Sequence, residues 1–222
     1  MPDAASTARH APLGVLGGTF DPVHNAHLAL ARAARARFGL GGVRWIPAGQ
    51  PPHRAAPHAA PAHRLAMVQA AIAGEAAFEL DGSEVARTEP SYTVHTLHRL
   101  RAELGEGRPL VLLMGADAFL GLPGWHRWRE IFDLAHLAVA TRPGFPLDVL
   151  DPPLGDILAA RRLAGVDFSG AAGAIATFEL IAGTVSATEV RTLLAAGAPR
   201  ERLLALLPAP VLDYIRRRRL YR

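Results

Sequence analysis

The sequence predicts an α/β fold, a doubly wound parallel sheet with a small helical piece at its C-terminal end. Short apolar runs alternate with longer stretches of helical periodicity, a pattern typical of parallel strands that helices cover on both faces. The 222 residues are enough for one such domain. Two adjacent glycines also separate the first apolar run from the first long helix, which is where open parallel sheets bind ligands.

Six apolar runs are predicted as strands, and glycines and prolines mark many of their ends. The predicted strands are residues 13–16, 43–46, 78–80, 110–114, 137–140 and 177–180. Helices are predicted at residues 25–38, 62–72, 93–104, 157–163, 187–196 and 211–217, with helical turns over 117–132. This order of strands and helices is that of a Rossmann-like sheet followed by two further helices.

The chain is predicted to form a single domain, residues 1–222. Within it we expect a flexible N-terminal segment at 1–11 and a C-terminal helical subregion at 183–222. Residues 143–174 are rich in Pro, Gly and Ala, and we interpret them as an excursion from the domain rather than a linker.

The composition excludes several kinds of chemistry. The chain has no cysteine, which rules out disulfides, thiolate metal sites and cysteine nucleophiles. It also has no lysine, so neither a P-loop lysine nor a Schiff-base lysine is available. We expect no metal site built from side chains.

Charge and hydropathy indicate the expected surroundings of the protein. The net charge is only +4, and the run from Arg216 to Arg219 ends a predicted helix, where cations oppose the negative end of the helix dipole. We therefore expect no nucleic-acid partner. No stretch reaches the roughly 20 apolar residues of a membrane span, and the first dozen residues lack the apolar core of a signal peptide. These patterns predict a cytoplasmic protein without a membrane partner.

The strongest functional pattern follows the first strand and reads GGTFDPVHNAH, residues 17–27. Gly17 and Gly18 allow the backbone to approach a phosphate closely. The start of the next helix supplies N–H groups and a positive dipole end. His24 and His27 are three residues apart, so both imidazoles lie on the same side of the first turn. The segment therefore predicts a site for an anionic polyphosphate.

Other interpretations of this segment are less consistent with the residues. A dinucleotide-binding fingerprint needs G-x-G-x-x-G, and the third glycine is missing. A metal site on His24 and His27 needs a third ligand, and no residue in a recognisable place supplies one. Two surface histidines without a role remain the simplest alternative, which the glycines and the helix start argue against.

The segment resembles the G-x-F-x-P-x-H-x-x-H motif of the nucleotidyltransferases related to class I aminoacyl-tRNA synthetases. A second motif of that family, I-S-x-T-x-x-R, is matched in part by residues 186–191, SATEVR, about 160 residues further on and in the same order. One position departs from the family pattern, because Ala26 stands where His-x-Gly-His has glycine. The extra methyl bears on how the nucleoside packs and leaves the phosphate role of the histidines intact.

Further segments are similar to the bacterial nicotinate-mononucleotide adenylyltransferases within that superfamily. They are PPHR at 51–54, PSYT at 90–93, GAD at 115–117, PGW at 123–125, RPG at 142–144 and the closing LYR at 220–222. The resemblance implies transfer of the adenylyl group of ATP to nicotinate mononucleotide, which yields deamido-NAD and diphosphate. It also implies Mg²⁺ bound with ATP, and it leaves open whether the chain is a monomer or a homodimer.

The resemblance also implies a set of site residues. Three are expected to be catalytic: His24, His27 and Arg191. The expected ATP-binding residues are Gly17, Gly18, Thr19, Phe20, His24, His27, Gly115, Asp117, Arg142, Ser186, Thr188 and Arg191. The expected residues for nicotinate mononucleotide are Thr19, His53, Arg54, Tyr92, Thr93 and Trp125.

Several of these residues are interpretable without the family. Ser91 and Thr93 favour a helix start, so N–H groups near Tyr92 and Thr93 are expected to hold a carboxylate. Trp125 is suited either to stacking on a pyridine ring or to anchoring a core or loop. Asp117 follows a strand and is suited either to a sugar hydroxyl or to a helix cap.

Two alternative functions stay open on the sequence. One is an adenylyltransferase with another phosphate acceptor. The other is a nucleotide-binding regulatory module without turnover, for which Ala26 is the only indication.

Overall fold

The structure, a computed structural model, describes residues 11–52, 56–141, 147, 150, 152–168, 170–180 and 185–222. Its strands are β1 (Leu13–Gly18), β2 (Gly42–Pro47), β3 (Phe78–Leu80), β4 (Leu110–Gly115), β5 (His136–Thr141) and β6 (Ile175–Glu179). They form one parallel sheet in the order β3-β2-β1-β4-β5-β6. The predicted α/β fold with a Rossmann-like parallel sheet is confirmed, and each of the six predicted strands is present.

Helices cover both sides of this sheet. Within the described residues they are α1 (Asn25–Phe38), α2 (Pro61–Ile72), α3 (Thr93–Leu104), α4 (Ala116–Leu120), α5 (Ile131–Leu134), α6 (Leu154–Arg161), α7 (Ala187–Ala195), α8 (Arg200–Leu204) and α9 (Ala209–Arg218). Because both faces are covered, β4 and β5 each bury five consecutive residues and show no alternation of apolar and polar positions.

The predicted helical turns over 117–132 are present as separate pieces. They comprise α4, two 3-10 turns at Leu122–Gly124 and Trp128–Glu130, and the start of α5. Pro123, together with the nearby Gly121 and Gly124, prevents one continuous helix, because proline lacks an N–H and glycine is a poor helix former.

Two predicted boundaries near the end of the sheet are wrong. The helix predicted at 157–163 runs instead from Leu154 to Arg161, because Pro153 starts it and Leu163 donates its N–H to Ile175 O at 2.8 Å. The strand predicted at 177–180 begins earlier, at Ile175, which pairs with Leu137 of β5. The short helix α8 was not predicted, although Pro199 directly before it is a helix-start signal.

The chain divides into two compact units. Unit 1 comprises Met1–Leu16, Leu30–Val43 and Tyr92–Ile181, and unit 2 comprises Gly17–Ala29, Arg44–Ser91 and Ala182–Arg222. In unit 1, Phe38 packs against Phe168 and Phe178 at ring distances of 5.1 and 5.4 Å. The single domain predicted from the sequence stays a prediction. Residues 1–10 of the expected flexible N-terminus lie outside the described residues.

In unit 2, aromatic rings and helices form a core of their own. Trp45 lies between Phe20 and Phe78, with ring centroids 5.6 and 5.7 Å away. Helix α9 packs against α2, and Tyr214 hydrogen-bonds His63 at 2.9 Å. The three helices α7, α8 and α9 fall in the predicted C-terminal helical subregion. Among the described helices, none has the length and hydropathy to cross a bilayer.

Candidate active site

The turn from Gly17 to His27, hereafter the histidine turn, leads from the end of β1 into α1 and lies in unit 2. Gly18 is needed for space, because a Cβ there would come within 3.1 Å of the Phe20 ring. Gly17 is exposed, and a Cβ there would meet only the carbonyl of Ile46, at 4.0 Å. The exposed glycine backbone and the helix start therefore occur together, as the sequence predicts.

Phe20 adopts an unusual backbone conformation within this turn. Its φ is 51°, in the left-handed region that costs a non-glycine residue roughly 1 kcal/mol or more. The side chain is 2% exposed and packs edge-on against the His27 ring at 5.0 Å. Burial of the aromatic ring offsets the backbone strain, so the buried Phe20 side chain anchors the turn.

His24 and His27 are stacked, with ring centroids 3.8 Å apart and an interplanar angle of 29°. The backbone N–H of His24 donates to Nδ1 of His27 at 3.2 Å. A nitrogen that accepts a hydrogen bond carries no proton, so this contact places the neutral proton of His27 on Nε2. His27 can therefore donate through Nε2–H.

His24 is buried, and burial lowers its pKa from 6.5 to about 4. Its imidazole is neutral at pH 7, which suits a ring stacked on another histidine. Among the described residues no partner is found for its buried Nδ1. A buried polar atom without a partner costs about 1–3 kcal/mol, and such atoms are common where a ligand completes the site.

The buried His24 is expected to make stability depend on pH. The unfolded chain binds the proton below about pH 6.5 and the folded chain only below about pH 4, so the free energy of unfolding falls as the pH falls through that interval. The loss between pH 7 and pH 4 is about 3 kcal/mol. Urea denaturation of wild type and His24→Gln at both pH values isolates this effect, because other groups titrate equally in the two proteins. Parallel pH dependences would contradict it.

Ser186, Thr188 and Arg191 lie at the start of α7, also in unit 2. The Ser186 hydroxyl is the helix cap and accepts the N–H of Glu189 at 3.1 Å, as expected for an S-x-x-E start. Arg191 donates Nη1 to the backbone oxygen of Asp21 at 2.8 Å and Nη2 to the Thr188 hydroxyl at 3.2 Å. The structure thus joins the two sequence motifs directly, through a cation held against the histidine turn.

The turn contains a further polar group to which the sequence analysis assigned no role. The Asp21 side chain is 6% exposed and accepts the backbone N–H groups of His58 and Ala59 at 2.7 and 3.0 Å. It also accepts the hydroxyl of Tyr221 at 2.7 Å. Asp21 belongs to the motif, and Tyr221 to a segment that carries the family resemblance, but no spacing in the sequence connects them.

Arg64 is a second buried polar residue that the sequence did not indicate. Its side chain is fully buried in α2 and donates to the backbone oxygens of Thr19, Gly49 and Ala59 at 2.7, 2.9 and 3.2 Å. Burial lowers the pKa of its guanidinium, and the charge of Asp21 opposes that effect. The residue fixes the backbone of the histidine turn at Thr19.

Tyr92 and Thr93 lie in unit 1 at the start of α3. Tyr92 is the N-cap residue, and Thr93 is the first residue of the helix, where N–H groups lack an intrahelical acceptor. The expectation that Ser91 caps this helix is wrong, because its hydroxyl accepts the N–H groups of Gly49 and Gln50 at 2.9 and 3.2 Å. The predicted helix start remains, with its N–H groups uncapped by a side chain.

The Tyr92 ring has histidine neighbours. The His126 ring lies 4.4 Å from it at an interplanar angle of 33°, and the His95 ring lies edge-on at 5.5 Å. These two imidazoles lie beside a residue predicted to bind nicotinate mononucleotide. No pattern in the sequence indicated this arrangement.

The three tryptophans differ in a way that bears on Trp125. Trp45 and Trp128 are buried and have ring partners in the core. Trp125 is half-buried, and among the described residues no aromatic ring pairs with it. Trp45 and Trp128 therefore pack in the core, and Trp125 differs from them in its exposure. Its role in stacking on the pyridine ring stays a prediction.

Gly115 and Asp117 follow β4 in unit 1. Gly115 is the N-cap of α4, and a Cβ built on it would meet nothing within 4 Å. Asp117 is exposed and its side chain caps nothing, because the N-cap position belongs to Gly115. Its carboxylate is thus not engaged as a cap, which was the alternative to a sugar contact.

Three predicted residues, His53, Arg54 and Arg142, lie outside the described residues. Among those that are described, no group of three or more His, Cys, Asp or Glu side chains is arranged to hold a metal ion. In the histidine turn the Asp21 carboxylate is already used by two N–H groups and a hydroxyl.

Comparisons with known proteins show the family of this chain. A family model described as cytidylyltransferase-like matches residues 15–193. A protein of Dechloromonas aromatica named "probable nicotinate-nucleotide adenylyltransferase" is 55% identical over 95% of this chain and 98% of its own length. One of the same name from Chromobacterium violaceum is 47% identical over 96% of this chain and 100% of its own. The chain belongs to the nicotinate-nucleotide adenylyltransferase family.

A solved structure supports the fold independently of close sequence similarity. The nicotinic acid mononucleotide adenylyltransferase of Plasmodium falciparum, in its complex with NaAD, is 17% identical and superposes with a TM-score of 0.73. The match covers 96% of this chain and 98% of that one. Membership of the family makes this chain a nucleotidyltransferase of NAD biosynthesis that joins the adenylyl group of ATP to nicotinate mononucleotide.

Proposed function

We propose that the histidine turn and Arg191, both in unit 2, bind the triphosphate of ATP. The observation that carries this proposal is the direct contact between the two motifs, Arg191 Nη1 to Asp21 O at 2.8 Å. It brings a guanidinium to the turn that carries His24 and His27. Imidazole and guanidinium donors at a helix start form a site complementary to phosphate oxygens.

The proposed hydrogen-bond donors stabilise the negative charge that develops on the leaving diphosphate. His27 offers Nε2–H, since its Nδ1 accepts the backbone of His24. Arg191 uses two of its five N–H donors on Asp21 and Thr188, so its planar fork is oriented before substrate binds. Ser186, Thr188, Gly17, Gly18, Thr19 and Phe20 are proposed as the other ATP contacts in unit 2. Preorganised donors of this kind are the main source of catalysis in phosphoryl transfer.

Binding of ATP is expected to change the protonation of His24. A triphosphate beside the imidazole favours its charged form and opposes the burial that lowers the pKa to about 4. The buried Nδ1 also gains a possible partner. His24 is thus a residue whose burial is unfavourable in the free protein and becomes favourable with the anion present.

No general base is needed in the proposed reaction. The phosphate oxygen of nicotinate mononucleotide is ionised near neutral pH, attacks the α-phosphorus of ATP and displaces diphosphate. The side chains bind and orient the two reactants, which converts the transfer into an effectively intramolecular step. Arg54, outside the described residues, is the proposed contact of the acceptor phosphate, with His53 beside it.

Mg²⁺ is proposed to enter as part of the Mg-ATP substrate. The described residues offer no carboxylate cage, and magnesium commonly keeps several waters and phosphate oxygens as ligands. The ion would neutralise charge on the phosphates that His24, His27 and Arg191 contact.

Further residues are proposed to recognise the nicotinate and the adenosine. Trp125 stacks on the pyridine ring, Tyr92 contacts it, and the N–H of Thr93 donates to the carboxylate. Gly115 and Asp117 contact the ribose and base, together with Arg142 outside the described residues. Since ATP is a cytoplasmic metabolite, we also propose that the enzyme works in the cytoplasm, as a monomer or a homodimer, without a nucleic-acid or membrane partner.

Diphosphate release tests the proposal. With Mg-ATP and nicotinate mononucleotide, the wild-type chain is expected to release diphosphate and form deamido-NAD in equal amounts, and removal of Mg²⁺ by chelation is expected to stop the reaction. Turnover with a different phosphate acceptor, but not with nicotinate mononucleotide, would support the alternative of an adenylyltransferase for another acceptor. Tight ATP binding without diphosphate release from any acceptor would support a regulatory module.

A further inference from the structure

The Asp21 carboxylate in unit 2 joins parts of the chain that are distant in sequence. One oxygen accepts the N–H of His58, and the other accepts both the N–H of Ala59 and the hydroxyl of Tyr221. The His58 ring also approaches the carboxylate, with Nδ1 3.4 Å away. Both oxygens of a nearly inaccessible carboxylate are therefore engaged within the protein.

The backbone of Asp21 is in contact with the proposed phosphate donors. Its carbonyl oxygen accepts Arg191 Nη1 at 2.8 Å, and His24 follows three residues later. Arg64 holds the same stretch from Thr19 O at 2.7 Å. Asp21 lies between Thr19 and His24 in the chain, so a shift of its backbone would act on Arg191 through their hydrogen bond and on the histidines along the chain.

Tyr221 combines an unusual backbone conformation with a side-chain contact to Asp21. Tyr221 has a φ of 58°, in the left-handed region that a non-glycine residue rarely adopts, and its hydroxyl lies 2.7 Å from Asp21. Burial raises the pKa of this hydroxyl, so it remains a protonated donor at any physiological pH.

We propose that Asp21 and Tyr221 are positioning residues for the transfer reaction, a clamp that holds the histidine turn and Arg191 in the geometry that the triphosphate requires. Neither side chain needs to touch substrate, because both act through the backbone of the turn. This inference rests on the proposed function, in which His24, His27 and Arg191 contact the phosphates.

The chain offers a matched control for this clamp. Tyr214 is also in unit 2, and its hydroxyl makes a hydrogen bond of 2.9 Å to His63, with no contact to Asp21. Tyr221→Phe and Tyr214→Phe each remove one hydroxyl and one hydrogen bond and leave the aromatic ring in place. A merely structural role would make the two variants equivalent.

The experiment measures steady-state diphosphate release and thermal unfolding for wild type, Tyr221→Phe and Tyr214→Phe, with rates expressed per folded molecule. We expect Tyr221→Phe to lower kcat about tenfold, since small misplacements of reacting groups cost up to 10²-fold. The KM for nicotinate mononucleotide should stay within about twofold. Tyr214→Phe should keep the wild-type kcat, while the two variants lose similar thermal stability.

Asp21→Asn provides a second variant. The amide keeps the shape and one acceptor oxygen but places an NH₂ donor against an N–H group, so kcat should fall at least as far as in Tyr221→Phe. Equal kcat values for Tyr221→Phe, Tyr214→Phe and active wild type would overturn the clamp and leave the proposed function intact. Absence of diphosphate release from the wild type would instead overturn the proposed function, and the clamp with it.

Discussion

Replacement of His24 or His27 by alanine is expected to lower kcat by about 10²–10³-fold, the effect of losing one preorganised donor at a developing charge. The two rings are stacked 3.8 Å apart at the start of α1, in the unit that also holds Arg191. Because the donors act on the leaving diphosphate, the loss should fall on kcat, with little change in the KM for nicotinate mononucleotide.

The two alanine variants are expected to differ in their free energy of unfolding. His24→Ala removes a buried ring with an unpaired Nδ1, whereas His27→Ala also removes the acceptor of the His24 N–H. Steady-state kinetics and urea denaturation of both variants measure these effects. His98→Ala is a suitable control, because that exposed histidine pairs with Glu130 and belongs to no proposed contact. Near-normal kcat in both variants would refute the assignment of the phosphate site.

The enzyme is expected to prefer nicotinate mononucleotide over nicotinamide mononucleotide by tenfold to well over a hundredfold in kcat/KM. The acceptors differ only in a carboxylate or a carboxamide on the ring. In the proposed site, backbone N–H donors at the start of α3 would satisfy carboxylate oxygens but would confront the amide NH₂ with another donor. Each mispaired buried group costs about 1–3 kcal/mol.

A proline at position 93 tests the N–H donor itself. Proline is tolerated as the first residue of a helix, and Tyr92 already has the extended φ of −94° and ψ of 129° that precede a proline comfortably. Thr93→Pro should therefore fold and lose much of the preference for nicotinate mononucleotide. Thr93→Ala keeps the N–H and should keep that preference. Equal kcat/KM for the two acceptors in the wild type would remove the basis of the carboxylate pocket.

Much of the fold was predictable because it depends on local sequence. All six strands were found because each contains a short stretch rich in apolar residues, and α3 was predicted with its observed bounds, Thr93–Leu104. The Ser186–Glu189 helix start is likewise a four-residue pattern. Predicted element boundaries were wrong where long-range pairing decides them. Ile175, for example, belongs to β6 because it pairs with Leu137 of β5.

The histidine turn could also be located from the sequence, since glycines, a helix start and two histidines three residues apart are all local features. The contacts that hold the turn in place could not be predicted from the sequence. Spacing cannot show that Asp21 meets Tyr221, 200 positions away, or that Arg64 is fully buried in α2. An arginine in a helix is ordinarily exposed.

The sequence by itself determined the sheet and the class of reaction, and it located the two motifs that are proposed to bind phosphate. Only the tertiary structure decided the proton position on His27, the lowered pKa of His24 and the contact of Arg191 with Asp21. These properties depend on desolvation and on hydrogen bonds between segments far apart in the chain. Both arise only when packing brings those segments together and excludes water, and neither leaves a periodic pattern in the sequence.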